Sequence, residues 1–351
     1  MKDVCNINMG QSPDSDSYND NEDGIPFFQG NADFGEKYPT TRKWCNAPTK
    51  IAHAEDILIS VRAPIGALNY AKEECCIGRG LAAITPNQDK VSSEFIYWLL
   101  KGKHKELNLQ GTGSTFKAIS RKVLEEIKVP DIELKKQTEL AGNLEKVYSV
   151  IQLRKQQLKE LDTLIKARFV EMFGDPIHND KGWDTDSVSA VCADIYGGGT
   201  PSKAHPEYYE NGDIPWVSSK DMKTDVITES QIYINQLGVD NSSAKMVPIN
   251  SVIMVIRSGI LKHTLPVAIN AVPITVNQDL KVFIPNNRIL TRFLAIQFKM
   301  HEADILTGVR AVTADNIEFE TLKTRSIIVP PIELQQEYID FVIQIDKLKL
   351  K

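Results

Sequence analysis

Leu140, Leu144, Val147, Ile151, Leu158, Leu161, Ile165 and Met172 fall on one alternating three-and-four spacing, with Arg154 and Arg168 in the two slots of the stripe that are not apolar. Such spacing lines one edge of a helix with a seam of side chains, as in a coiled coil. The surrounding run, from Ile132 to Phe173, contains no Pro and a single Gly, and it stops at Gly174-Asp175-Pro176. The pattern therefore predicts one helix, roughly 60 Å long at 1.5 Å per residue, where the usual globular helix has about 11 residues. A rod with an apolar edge of that length calls for a partner along it.

The same helix entry is written twice. Val329-Pro330-Pro331-Ile332-Glu333-Leu334-Gln335-Gln336 repeats Val129-Pro130-Asp131-Ile132-Glu133-Leu134-Lys135-Lys136 two hundred positions later, and a second amphipathic run follows it to Lys351. This second run is only about half as long as the first, so the seam from Leu158 to Met172 is expected to lack an intramolecular partner. Self-association or docking of another subunit would then cover it.

Outside the helices the pattern changes to short apolar runs bounded by turn residues. Asp56-Ile57-Leu58-Ile59-Ser60-Val61-Arg62 reads as a buried strand ended by Ala63-Pro64-Ile65-Gly66, and Gly78-Arg79-Gly80 leads into a second strand, Leu81 to Thr85. Ser92 is placed to cap a helix through Phe95, Trp98, Leu99 and Leu100. A Gly-rich turn, Gly111-Thr112-Gly113-Ser114, precedes the short helix that delivers the chain to the rod.

After Gly174-Asp175-Pro176 the plan begins again. Val191-Cys192 echoes Val4-Cys5, Gly198-Gly199-Thr200-Pro201 echoes Gly10-Gln11-Ser12-Pro13, and Ile214-Pro215-Trp216-Val217 echoes Ile25-Pro26-Phe27-Phe28. The strand ending at Arg257 matches the one ending at Arg62, and Gln278-Asp279-Leu280 stands where Arg79-Gly80-Leu81 did. The expected fold is α+β: two similar mixed α/β domains separated by long helices that form an antiparallel coiled coil, with an internal pseudo-two-fold repeat. The expected boundaries are a first domain over 1–130, a central helix over 131–173, a second domain over 174–330 and a C-terminal helix over 331–351. Framework residues recur while polar loop residues change, which points to two readers of two different things.

Composition narrows the classes. With 42% hydrophobic and 25% charged residues over 351 positions, the chain is an ordinary globular one with room for two cores. No apolar run has the length of a membrane span and the N-terminus has no signal-peptide core, so a cytoplasmic protein with no membrane partner is expected. A net charge of −5 means that any nucleic-acid contact comes from local patches or is shared with a more basic partner. The five cysteines form no C-x-x-C pair and the six histidines no H-x-x-x-H spacing, so thiols and imidazoles read as packing or surface residues and no metal is expected.

Catalytic patterns fail on inspection. Pro130-Asp131 with Glu133-Leu134-Lys135 has the residue types of a metal-dependent nuclease, but these crowd into one helix start where convergence on a metal needs separate elements. Gly111-Thr112-Gly113-Ser114-Thr115-Phe116-Lys117 lacks phosphate-loop spacing, and no amino-methyltransferase N-P-P-[FY] or dinucleotide G-x-G-x-x-G run is present. No catalytic residue is predicted.

The duplicated G-x-[ST]-P turn and the duplicated P-x-I-E-L helix entry resemble, over essentially the whole chain, the specificity subunit of type I restriction-modification systems. The resemblance implies two target recognition domains that each read half of a bipartite asymmetric site in double-stranded DNA. It also implies paired helices as a spacer, two methyltransferase subunits docked on the framework and, as a further component, motor-nuclease subunits. No cofactor is implied for this chain; S-adenosylmethionine would sit on the methyltransferase subunits.

Base-edge readout needs Arg or Lys for guanine and Asn or Gln for adenine, carried on loops that can enter a major groove. In the first domain the candidates are Gln11, Ser12, Gln29, Asn31, Arg62, Arg79, Thr112, Ser114 and Lys117. In the second they are Thr200, Ser202, Lys203, Ser218, Lys220, Arg257, Lys262, Gln278, Arg310 and Thr313. A solvated loop residue or a local turn hydrogen bond is the competing role for each. At the level of the whole chain the competing reading is a two-domain coiled-coil adaptor for protein partners.

Overall fold

A computed structural model describes residues 1–113, 117–308, 310–311 and 315–350. Two compact units, Met1–Arg154 and Lys155–Lys351, divide the chain, and the helix Leu134–Phe173 runs through the division.

In the first unit Ile57–Ser60 is the centre of a four-stranded antiparallel sheet, in the order Cys5–Met9, Leu81–Pro86, Ile57–Ser60, Leu68–Tyr70. Its unbroken apolar run is explained by burial on both faces: Ile57 and Ile59 join one core cluster with Ile84, Ile96 and Leu100, while Leu58 joins another with Phe28 and Ile77. Each such side chain stabilises the fold by roughly 1.5–3 kcal/mol relative to exposure. A second sheet of five short strands contains Ile25–Phe28 paired in parallel with Cys75–Ile77.

The second unit repeats the scheme. Val252–Val255 lies between Leu280–Pro285 and Val267–Asn270 in a five-stranded sheet, and Ile214–Val217 pairs in parallel with Thr275–Val276. Ser92 caps the helix Ser93–Gly102 by accepting a hydrogen bond from the Phe95 N–H; the matching helix of the second unit is Thr291–Met300.

Two buried glutamines fasten the conserved helices to these units. The Gln137 side chain accepts from the Ser92 N–H at 3.0 Å and donates to the Lys90 and Ile132 carbonyls. Gln335 accepts from the Leu290 N–H at 2.9 Å and donates to the Arg288 and Pro330 carbonyls. The structural repeat therefore pairs Gln137 with Gln335, two residues short of the two-hundred-residue spacing read from P-x-I-E-L. The helices agree, one beginning at Leu134 and the other at Ile332. The sequence motif is displaced by two residues, since the second helix begins at the Ile of its motif, directly after Pro331, and the first only at the Leu, and the buried glutamines mark the structural register.

The partnering of the long helix is the reverse of the expectation. In the second unit Phe169 and Phe173 are fully buried against Phe293 and Tyr338, and the Tyr338 hydroxyl donates to the Ile165 carbonyl at 3.0 Å. Arg168 pairs with Glu337 and Lys349 with Asp162, so the C-terminal helix Ile332–Lys349 runs antiparallel to this segment. Arg168 fills its polar slot in the stripe by this pairing. In the first unit, by contrast, Leu144, Val147 and Ile151 are 47, 58 and 46% exposed. The helix ends where Gly174 adopts φ +76°, the left-handed conformation glycine takes without strain.

Candidate nucleic-acid interface

Backbone hydrogen bonds gather the loops of the first unit at one end of its sheets. The Gly10 N–H donates to the Leu81 carbonyl and the Gln11 N–H to Ile77, while Gly78 N–H reaches Phe28 and Gly80 N–H reaches Gln29. Val61 N–H then donates to Gly80, Ile119 N–H to Val61 and Ala63 N–H to Lys117. Gly10 has to be glycine here, since an added Cβ would overlap the Gly78 carbonyl oxygen.

On this lattice the structure brings together Gln11, Ser12, Gln29, Arg62, Arg79, Thr112 and Lys117. The Gln29 side-chain amide donates to Ser12 Oγ at 2.9 Å, and Ser12 Oγ also accepts from the Arg79 N–H at 3.4 Å. Thr112 pairs through its backbone with Ala118, which also bridges to Arg62. Gln11, Gln29, Arg62, Arg79, Thr112 and Lys117 are exposed. Asn31 sits half-buried in the short turn Asn31–Asp33 behind Gln29. Ser114 lies outside the described residues.

The second unit uses the same lattice with different side chains. Gly199 N–H donates to the Val276 carbonyl, Asn277 N–H to Val217 and Ile256 N–H to Asp279. Thr200 Oγ1 hydrogen-bonds Gln278 Oε1, so these two candidates meet. Arg257 is ion-paired with Asp279 at 2.7 Å, and Asn277 donates to the other oxygen of that carboxylate. Lys262 lies 3.8 Å from Asp315. Ser218 is taken up in a turn through Asp221, and Lys220 N–H donates to Ser218 Oγ. Ser202 closes its own turn with Ala204, exposed beside Lys203, and no described contact ties either to the Gln278 group. Arg310 lies on a short strand paired with Asn316, and Thr313 lies outside the described residues.

Matched positions therefore differ in a chemically meaningful way. Arg79 corresponds to Gln278, and Gly80 to Asp279, because the carbonyls of Gly80 and Asp279 accept from equivalent strand ends. With Gly80 at the position of Asp279, Arg62 has no described ion-pair partner, whereas Arg257 is clamped by a carboxylate. Sequence reasoning missed Asn277, Asp279 and Asp315 in the second unit, and Thr49, whose Oγ1 donates to the Gln11 carbonyl at 2.8 Å. Nothing local marks Asp279 as a partner of Arg257.

Among the described residues no group of three or more His, Cys, Asp or Glu is placed to hold a metal ion. Cys5, Cys45, Cys75 and Cys76 are buried and Cys192 is half-buried. Burial pushes the Cys5 thiol up to about 11 and those of Cys75 and Cys192 to about 12, so they stay protonated at neutral pH. No described helix is long and apolar enough to cross a membrane.

One scaffold used twice, with unlike polar loops gathered at the same end of each copy, defines a duplicated loop-presenting module on helical supports. The family model for the type I restriction modification DNA specificity domain matches residues 1–163 and 181–351, and the chain belongs to that family. It is 42% identical over 156 residues to a putative type I restriction enzyme MjaX specificity subunit of Methanocaldococcus jannaschii, covering 44% of this chain and 37% of the relative. It is 39% identical over 155 residues to the EcoR124I/EcoR124II specificity subunit of Escherichia coli, covering 44% and 38%. These matches span less than two-fifths of those relatives' length. The MjaIX specificity subunit of M. jannaschii matches at 25% identity over 324 residues, 87% of this chain and 74% of the relative. The crystal structure of the type I restriction-modification S subunit from M. genitalium shares the fold, with a TM-score of 0.59 over 99% of this chain and 88% of that one at 14% identity.

Proposed function

We propose that this chain is the DNA sequence-recognition subunit of a type I restriction-modification complex and performs no catalysis itself. On this reading the domains over 1–130 and 174–330 are target recognition domains, each reading one half of a bipartite asymmetric site in double-stranded DNA. The helices over 131–173 and 331–351 set the gap between the halves as an antiparallel coiled coil. Two methyltransferase subunits, which carry the S-adenosylmethionine, dock on this framework, and motor-nuclease subunits join them.

The observation that supports this best is the exchange of Arg79 for Gln278 on one repeated loop lattice. A guanidinium pairs with O6 and N7 of guanine, and a carboxamide pairs with N6 and N7 of adenine, so the two copies present different base preferences from the same place. The net charge of −5 fits a reader that shares its phosphate contacts with partner subunits. The test is sequencing of methylated adenines in cells that carry this chain with its methyltransferase partner. A gapped motif with two unlike halves is expected; an ungapped motif, or none, would overturn the reading.

A further inference from the structure

In the first unit a groove of about 870 Å³ lies between the helix Ser93–Gly102, the strand Leu68–Tyr70 and the start of the long helix, away from the loop lattice. Its walls are aromatic. Tyr70 stacks on Tyr97 with centroids 4.8 Å apart, and Trp98 meets Tyr148 edge-on at 5.4 Å. Glu36, Glu55, Glu94 and Glu145 also line it, all exposed and none ion-paired with a described residue.

One cation already occupies the rings. The Lys101 ammonium sits 3.5 Å from the Tyr148 centroid and 4.7 Å from that of Trp98. Ring faces and unpaired carboxylates both favour positive charge, and Lys37 and Lys101 leave the four carboxylates uncompensated by two. Burial first, then Glu94, Tyr97, Glu145 and Glu55, pushes the Tyr70 hydroxyl's pKa up, in keeping with a negative field.

The other unit shows that the fold does not require this chemistry. In the register set by Gln137 and Gln335, the positions of Glu94 and Tyr148 are taken by Arg292 and Asp346, which pair with each other. Tyr97 and Trp98 are replaced by Ala295 and Ile296, while Lys101 remains as Lys299. The equivalent groove is lined by Ala295, Ile296, Val342 and Tyr338, and its Arg292 and Asp346 neutralise each other.

We propose that the aromatic, acidic groove of the first unit is a docking site for an arginine side chain of a partner protein. A guanidinium fits it because it stacks on aromatic faces and pairs with carboxylates at once; DNA is disfavoured because phosphates would meet four carboxylates. The proposal rests on the assembly reading above only for which subunit supplies the arginine.

The test titrates the full chain with an acetylated Gly-Arg-Gly-Arg-Gly amide, following the heat of binding by calorimetry. No DNA is present, so failure here leaves the DNA-recognition reading untouched. Saturable binding is expected, at least fivefold weaker in Glu94→Gln/Glu145→Gln and unchanged in Glu210→Gln/Glu229→Gln. Binding should tighten about twofold in Lys101→Gln, which removes the resident cation, and a peptide with citrulline for arginine should not bind. No binding, equal binding by Glu94→Gln/Glu145→Gln or by the citrulline peptide, or no tightening in Lys101→Gln would each overturn the proposal.

Discussion

Gln335 repeats the hydrogen bonds of Gln137 partner for partner: one backbone N–H at the start of a packed helix, one carbonyl two residues before it, and one carbonyl five residues before the glutamine itself. Both side chains are buried, at 1% and 0% exposure. Alanine at either place leaves buried backbone groups unsatisfied and opens a cavity, which costs about 2–4 kcal/mol. Glu337, two hundred positions after Gln137, is exposed, so Glu337→Ala should cost about 1 kcal/mol or less. Urea unfolding of the three variants checks the register; a larger loss for Glu337→Ala than for Gln335→Ala would refute it.

The long helix should tolerate changes unevenly. Phe169→Ala removes a ring packed on Phe173, Phe293 and Tyr338 and should cost about 3–5 kcal/mol. Val147→Ala, on the exposed part of the stripe, should stay within about 1 kcal/mol. Thermal unfolding midpoints distinguish the two sites, and equal shifts would contradict the packing described.

On the DNA-recognition reading, Arg79→Ala and Gln278→Ala should each relax one half-site and spare the other. Each loss corresponds to about 1–3 kcal/mol of discrimination. The methylated-adenine motif of each variant is the measurement. A change in both halves from one substitution would show that the units do not read separately.

The same reading makes the long helix a ruler. Seven residues inserted between Gln156 and Gln157 leave the contacts of Asp162, Ile165, Phe169 and Phe173 in place and lengthen the rod by roughly 10 Å. The gap in the methylation motif should grow by up to about three base pairs at 3.4 Å each. An unchanged gap in an active complex would assign the spacing to other elements.

Acid should weaken the second unit through His301. Its ring is buried, neither nitrogen has a hydrogen-bond partner among the described residues, and burial followed by the charge of Arg325 pushes its pKa down from 6.5 to about 4. Between those values the unfolded chain binds the proton and the folded one does not, so stability is complete above pH 6.5 and falls as pH drops toward 4. The loss is on the order of 3 kcal/mol. Unfolding of His301→Leu across pH 4 to 7 should show a shallower dependence; an identical slope would remove His301 from the account.

Much of the plan was legible without coordinates because it is local and repeated. Turn glycines and prolines, the Ile57–Ile59 run and the Ser92 cap depend on neighbours a few residues away, and the duplication shows the turns and the strand twice, though Leu290 stands without a cap where Ser92 does. Three- and four-residue spacing alone identifies the long helix, since a helix brings those positions onto one edge.

Tertiary structure decided what lies across strands and between helices. Asp279 clamps Arg257 only because strand pairing carries it to the end of the Val252–Val255 strand. Tyr70, Trp98 and Tyr148 form one groove although they belong to three separate elements. The stripe of the long helix fits one pattern throughout, yet Val147 on it is exposed, Ile165 and Met172 on it are half-buried, and the fully buried residues, Phe169 and Phe173, stand one position beside it. Periodicity says which side of a helix is apolar; only the arrival of Tyr338 and Phe293 from distant segments says which stretch of that side is covered.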